Sequence, residues 1–275
     1  SLLDHVGSGK DWDLSRKHGG LRILPPFGYS GRREGVYRGR MDALAGVRSY
    51  LQYIRQDYVV LAGGDLAVNL PLNDIFEAHI RNDADITAVC RPMGSPKDCD
   101  YFTIGAGGRI TDVLVHPPIA QGCESLEVYI LSKQLLLSLV DHCAAHNIPS
   151  FSTGVLQAMA GQLKICPYVF DGYAARLQSV AGYFARSMEL RTDLFAPGRP
   201  VRTKDRSDPS TYYGPGSRAV NSLVADGCII EGEVENSILF RGVRVEKGAK
   251  VSGCVLMQGT AVQAGAVLKY AITDK

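Results

Sequence analysis

The stretch Val59-Val60-Leu61-Ala62-Gly63-Gly64-Asp65 ends an apolar run on one carboxylate beside two glycines. Read as a strand, it sets Asp65 at the carboxyl edge of a sheet, where α/β folds gather ligands, and Gly63 and Gly64 let a ligand approach the backbone. The chemistry that fits is a divalent cation shared with phosphate oxygens, because Mg²⁺ takes one or two protein carboxylates and leaves its other positions to phosphate and water. Gly-Gly-Asp also simply turns a chain, and both readings stand at this point. A second stretch, Tyr37-Arg38-Gly39-Arg40-Met41-Asp42-Ala43, runs from a loop into a helix amino terminus. Free N–H groups and the helix dipole favour anions there, with two arginines to help, although solvated arginines explain the pair equally well.

Other patterns carry less. His142 and His146 stand one helical turn apart, but Cys143 occupies the place of a zincin glutamate and no third ligand is evident, so a helix surface is the reading. Gly105-Ala106-Gly107-Gly108 lies between strands rather than before a helix, which makes it a hairpin turn and not a phosphate loop. The basic residues Arg199, Arg202, Lys204 and Arg206 either bind an anionic effector or keep a loop solvated.

The elements that position these groups follow from periodicity. Apolar residues at 41, 44, 47, 51 and 54 predict a helix over 41–56, then a buried strand from Tyr58. Leu72, Ile75, Phe76, His79 and Ile80 predict an amphipathic helix begun near Pro71, and Ile86 to Cys90 a second strand, which together suggest a parallel βαβ unit. A hairpin around 105–115, a strand at 126–131, a helix from about Ser132, a strand at 163–170 and a helix at 179–190 complete an α/β layer.

Residues 196–218 hold four prolines, three glycines and no apolar period, and read as a connection between domains. Beyond it, residues 237–253 align without gaps on 254–270, a period of 17, and residues 222–236 form a copy two residues shorter. Short aliphatic stretches between glycine corners at that period fit a three-sided β-solenoid of about three visible coils. The division is therefore an α/β domain at 1–195, a linker at 196–218 and a β-helix at 219–275.

Composition limits the function classes. Of 275 residues, 30 are Lys or Arg and 28 are Asp or Glu, for a net charge of +2, which gives no broad case for a nucleic-acid or anionic-membrane partner. No apolar stretch is long enough to span a membrane, and seven scattered cysteines without a CxxC pair read as reduced thiols of a cytoplasmic protein.

Taken together, these pieces resemble the ADP-glucose pyrophosphorylase (glucose-1-phosphate adenylyltransferase) family over most of the chain. Residues 37–43 are similar to its Tyr-x-Gly-Thr-Ala-Asp-Ala motif and residues 59–65 to its Val-Val-x-Leu-Ala-Gly-Asp motif. Ser125-Leu126-Glu127-Val128-Tyr129 is similar to its Ser-Met-Gly-Ile-Tyr strand, Pro200-Val201-Arg202-Thr203 to its Pro-Ile-Arg-Thr linker, and residues 220–224 to the entry of its left-handed β-helix. The resemblance implies a Rossmann-like nucleotidyltransferase sheet followed by a left-handed parallel β-helix. It implies ATP, glucose-1-phosphate and Mg²⁺ in the sheet domain, tetramers through the β-helix, and effectors near the domain junction, where Arg199, Arg202 and Lys204 stand. By the same resemblance Asp65 is the metal ligand, Gly63, Gly64, Tyr37, Arg40 and Asp42 surround the phosphates, and Ser125 touches the sugar.

Departures from the family pattern change the expected outcome. The family's Glu-Lys-Pro is here Val115-His116-Pro117, so His116 holds the position of a sugar-phosphate lysine. Its second metal-binding Asp aligns with Arg176, and its Thr-Ala-Asp is Arg40-Met41-Asp42. A cation in place of a cation's ligand leaves Asp65 to bind Mg²⁺ poorly. The pattern is most similar to the GlgD-type subunit, a regulatory partner of the catalytic GlgC-type subunit in a tetramer, with weak or no catalysis of its own and a site for sugar phosphate or adenine nucleotide. The alternatives are an active nucleotidyltransferase and, more distantly, a β-helix acyltransferase, which the absence of any solenoid histidine disfavours. A Gly-rich first strand is expected before Ser1, and a third repeat breaks off at Lys275, so the chain reads as part of a longer protein.

Overall fold

The computed structural model describes residues 2–24, 37–92, 99–192, 201, 203–204 and 206–274. The chain divides into two compact units, one of Arg22–Ala174 and one formed by Ser1–Leu21 with Ala175–Lys275. The second opens with the short helix α1 (Leu2–Val6).

In the first unit the single helix expected over 41–56 is two, α2 (Arg40–Gly46) and α3 (Arg48–Tyr53), jointed at Val47. Ahead of that joint the Tyr37 phenol packs so tightly on Gly46 that a Cβ there would lie 2.8 Å from Tyr37 Oη. The elements that follow are β1 (Tyr58–Leu61), β2 (Leu66–Val68), α4 (Leu72–Arg81), β3 (Ile86–Arg91), β4 (Tyr101–Ile104), β5 (Ile110–Leu114), β6 (Cys123–Ser132), α5 (Lys133–Ala145) and β7 (Ile165–Val169). Ser132 starts α5 as a cap, its Oγ accepting from the Leu135 amide at 3.1 Å, which satisfies one of the orphan donors of the first turn.

The sheet is mixed. Its order is β5-β4-β6-β3-β7, with β1 also on β6. The βαβ expectation holds in direction and is corrected in adjacency: β1 and β3 are each antiparallel to β6 and so run parallel to one another, but β6 lies between them, and the parallel ladder of this sheet is β3 with β7. Strand β6 takes that central place because both its faces are apolar. Leu126, Val128 and Ile130 enter one buried cluster with Ile75 of α4, while Tyr129 and Leu131 enter another with Met41, Leu51, Leu136 and Leu139 of α2, α3 and α5. Period-two alternation thus feeds two helix-covered faces, each buried aliphatic side chain contributing roughly 1.5–3 kcal/mol. By contrast β1, expected to be buried, is half-exposed along its length.

The strand β8 (Ala174–Arg176) and the helix α6 (Val180–Glu189) lead into the solenoid. Three parallel sheets form it, on strands at 212–213, 229–230, 244–245 and 261–262, at 218–220, 233–235, 250–252 and 267–269, and at 223–224, 238–239, 255–256 and 272–273. That makes about four coils rather than three, because Tyr212–Tyr213 already pairs with Ile229–Ile230 inside the stretch read as a connection. The register states the repeat directly: Val234 faces Val251 and Val251 faces Leu268, steps of 17, but Ala219 faces Val234, a step of 15.

The shorter coil is closed by Gly232. A Cβ at that position would lie 2.4 Å from the Ala249 carbonyl oxygen and 2.8 Å from that of Glu246, so with the corner residues that correspond to Lys247-Gly248 missing, the chain crosses its neighbour at a distance only glycine permits. The interior is an aliphatic stack of Ile230, Val245 and Val262, Val234 and Val251, and Leu239 and Leu256. None of the seven cysteines is in a disulfide. Among the described residues no helix is long and apolar enough to cross a membrane.

Candidate functional site

Arg40 is the first residue of α2, and its Nη2 donates to Glu127 Oε2 of β6 at 2.8 Å. Its guanidinium carbon stands 5.6 Å from the centre of the Tyr129 ring, within cation–π range. The face of Gly63 where a Cβ would stand, just past β1, is turned to the same spot. A Cβ built there would lie 2.8 Å from Asp65 Oδ1 and 4.0 Å from both Arg40 Nη2 and Glu127 Oε2. Arg40, Gly63 and Asp65, expected from the sequence, therefore do converge, and Glu127 joins them. Gly64 has no atom within 4 Å of its built Cβ and lies open.

A break in the β6 ladder aims Glu127. Val89 pairs with Val128 and Cys90 with Ser125, which leaves Leu126 and Glu127 as extra residues on β6, a bulge of the kind that redirects a side chain. Glu127 sits at φ +52°, in the left-handed region that glycine occupies most easily, and its amide donates to Ser125 Oγ at 3.1 Å. Ser125 Oγ is also 3.2 Å from the Tyr129 hydroxyl, and both residues are fully buried. Burial pushes the Tyr129 phenol well above its ordinary value, against the opposing pull of the Ser125 hydrogen bond, so it stays protonated.

His116 belongs to a neighbouring group around Asp100. Its Nδ1 is 3.7 Å from Asp100 Oδ1, and it too has a left-handed backbone, at φ +45°. Asp100 is 2% exposed, its Oδ2 accepts from Ser152 Oγ, its carbonyl accepts from the Ser125 amide at 2.8 Å, and its Oδ1 has no hydrogen-bond partner. Ser125 thus links the two groups, through Asp100 on one side and Glu127 with Tyr129 on the other.

Tyr37 and Asp42 are placed elsewhere. Asp42 is paired with Arg38, whose Nε lies 2.8 Å from Asp42 Oδ2 and whose Nη2 donates to Asn147 Oδ1 at 2.9 Å, while Tyr37 packs on Gly46. The start of α2 is committed as well, since the Met41 amide donates to the Pro149 carbonyl at 2.9 Å and Gly39 passes the same carbonyl at a distance that excludes any side chain. Arg176 lies in β8, in the other unit. Arg199 and Arg202 fall outside the described residues. Lys204 lines a largely apolar cavity of about 830 Å³ with Tyr183, Leu239, Phe240 and Met257, and its Nζ is 3.3 Å from Asp11 and 5.7 Å from the Trp12 ring.

Among the described residues no group of three or more His, Cys, Asp or Glu is placed to hold a metal ion. That includes His142 and His146, whose rings stack 4.3 Å apart. A divalent cation at the Gly63 edge would meet Asp65 beside a guanidinium already answering Glu127, and a cation is poorly held next to a fixed cation. The residues present do not fit Mg²⁺. Cys90 is disfavoured as a nucleophile, since burial, with Cys123 nearby, pushes its thiol up to about 12.

Sequence reasoning missed Asp100, Glu127, Tyr129 and Ser152 as members of this network. The signal for Glu127 was available only as a charged residue inside an apolar strand run.

Comparison with known proteins places the chain. The family model described as GlmU-like, C-terminal hexapeptide matches residues 211–275, the solenoid, as a left-handed β-helix requires. The glycogen biosynthesis protein GlgD of Bacillus subtilis (strain 168) is 34% identical over 260 residues, covering 91% of this chain and 65% of that protein. GlgD of Geobacillus stearothermophilus is 36% identical over 261 residues, again covering 91% and 65%. A glucose-1-phosphate adenylyltransferase of Thermotoga neapolitana is 30% identical over 263 residues, covering 91% of this chain and 62% of that protein. The chain therefore spans somewhat under two thirds of the length of these relatives.

Proposed function

Over the residues it spans, the chain belongs to the family that holds the glucose-1-phosphate adenylyltransferases and the GlgD proteins, and from that premise we propose that it is a GlgD-type regulatory subunit of glycogen biosynthesis, with weak or no turnover of its own. The observation that carries this reading is the Arg40–Glu127 ion pair beside Gly63 and Asp65. Adenylyl transfer from ATP to a sugar phosphate is an in-line displacement at the α-phosphorus that releases pyrophosphate, and its catalysis consists mainly of positioning and of neutralising phosphate charge. Here the arginine that would face phosphate is held by a glutamate, and one carboxylate, Asp65, remains at the strand end. His116 stands where a permanently charged lysine would serve a sugar phosphate, and it faces Asp100.

The partner in this reading is a catalytic GlgC-type chain in a mixed tetramer, and the site retains sugar phosphate or adenine nucleotide as a ligand rather than a substrate. Lys204, on the cavity wall, serves an anionic effector. Cysteines that form no disulfide and the relatives' role in glycogen synthesis support a cytoplasmic location. The test is ADP-glucose formation by the full-length protein alone and mixed with a catalytic subunit, across candidate sugar-phosphate effectors. Background activity alone and an altered effector response in the mixture are expected. Turnover of several per second by the protein alone favours an active nucleotidyltransferase instead, and a mixture that behaves as the catalytic subunit does by itself overturns the regulatory reading.

A further inference from the structure

We infer that the cavity beside the solenoid is a site for an amphipathic anion, an aryl or alkyl body carrying one sulfonate, carboxylate or phosphate group, and that it selects against a sugar phosphate. The inference rests on the regulatory reading only in calling such a ligand an effector.

The cavity lies within the second unit, lined by the solenoid sheet of strands 223–224, 238–239, 255–256 and 272–273, by α6 and by the segment around Lys204. At about 830 Å³ it has the size of a small-molecule site. Its apolar wall stays open: Leu190, Leu223 and Phe240 all line it and are 42%, 48% and 38% exposed, so large apolar side chains meet in one place without being covered. Charge is segregated along it. Val224 pairs with Leu239, Leu239 with Leu256 and Leu256 with Thr273, so the residues that follow, Ala225, Phe240, Met257 and Asp274, step across the sheet at roughly 4.8 Å per strand. Asp274 therefore stands at the far coil, whereas Asp208, beside Gly227 of the first coil, is approached at Oδ2 by Arg206 Nε at 3.3 Å and by Arg241 Nε at 3.6 Å. Neither contact is a hydrogen bond, and Lys204 turns its Nζ to Asp11. One carboxylate oxygen shared by two guanidiniums in this way is a weak match for two charges, and an anionic head answers the excess. Its body then runs over Phe240 and Met257. Among the described residues, the hydroxyl and amide groups on the wall are those of Ser187, Thr203, Gln258 and Tyr183, and the Tyr183 hydroxyl is turned to Met257 Sδ at 4.0 Å. Sugar hydroxyls entering there would give up water for too few partners.

The test is fluorescence titration of the full-length protein with 8-anilinonaphthalene-1-sulfonate and with N-phenyl-1-naphthylamine, which has the same rings and no sulfonate. One saturable site is expected, about tenfold tighter for the sulfonate. Arg206→Gln should remove most of that difference and Arg241→Lys should keep it. Ala225→Phe, which fills the cavity from its wall, should weaken both probes, and Phe240→Ala serves in its place if that variant melts early. Glucose-1-phosphate and inorganic phosphate should leave the bound probe undisturbed. Equal affinity for the two probes, a preference that survives Arg206→Gln, or displacement of the sulfonate by glucose-1-phosphate overturns the assignment. So does the absence of a saturable site, the result expected if another part of the protein or a second copy covers this wall. None of these measurements involves the catalytic partner, so the regulatory reading stands or falls separately, on its effector assay.

Discussion

Left-handed backbone serves the two units in opposite ways. In the solenoid Asn221, Asn236, Gly253 and Tyr270 recur at one corner of successive coils, with φ between +45° and +63°, and Asn221 Nδ2 donates to Asn236 Oδ1 at 2.5 Å. In the sheet unit Asp83 and Asn147 take the same conformation just past the ends of α4 and α5, whereas at His116 and Glu127 it occurs away from a helix end and aims a titratable group at Asp100 and at Arg40. A strained conformation that repeats with the fold's own period is part of its architecture. One that occurs singly and directs a charge marks a site where geometry is held against the local preference of the chain.

The comparison can be broken at its structural end most severely by Gly232→Ala, whose Cβ would be driven into two carbonyl oxygens of the next coil; a loss above about 3 kcal/mol is expected in urea unfolding. Leu256→Ala, in the aliphatic stack, should cost about 3 kcal/mol. Because coils repeat, Val234→Ala and Val251→Ala should each cost about 2 kcal/mol and agree to within about 0.5 kcal/mol; a clear inequality would deny that successive coils are equivalent environments. Glu127→Gly sharpens the other side. It removes an ion pair worth up to about 1 kcal/mol but relieves a backbone cost of about 1–2 kcal/mol, so stability should hold or rise slightly, and a marked fall in melting temperature would show that the left-handed backbone there is unstrained.

The smallest expected effect separates the units by acid. His79 is buried against Thr87 with Nδ1 2.8 Å from its hydroxyl, and burial pushes its imidazole below the ordinary value despite Asp85. The folded state thus holds His79 neutral while the unfolded chain binds a proton near pH 6.5, so this contribution is complete above about pH 6.5 and is lost as pH falls below it. The solenoid has no histidine and lacks this loss. Amide protection factors in the sheet unit, corrected for the intrinsic pH dependence of exchange, should fall between pH 7 and pH 5.5 in the wild type and change less in His79→Gln.

The two units also differed in legibility. The 17-residue period and its short copy were readable because every coil carries its own glycine corner, and neighbouring coils are neighbours in sequence. The helices at 72–81, 133–145 and 180–189 announced themselves by apolar spacing, with Ser132 and Ser179 as caps. The place of β6 between β1 and β3 did not, since a strand's partner some 70 residues away leaves no local trace. Asp65 and Arg40 were found as a strand end and a helix start. Glu127 and Asp100 escaped because their roles depend on a bulge and on burial, which arise only when distant segments meet.

The short coil has one more consequence. Parallel coils of equal length match their neighbours almost as well after sliding by a whole repeat, so a uniform solenoid has several nearly equivalent ways to stack. A coil of 15 residues among coils of 17 matches only one arrangement, because sliding would leave two residues unaccommodated at the corner where Gly232 crosses Ala249. The irregularity thus acts as a key that fixes which coil follows which, guarding the repeat against threading errors during folding.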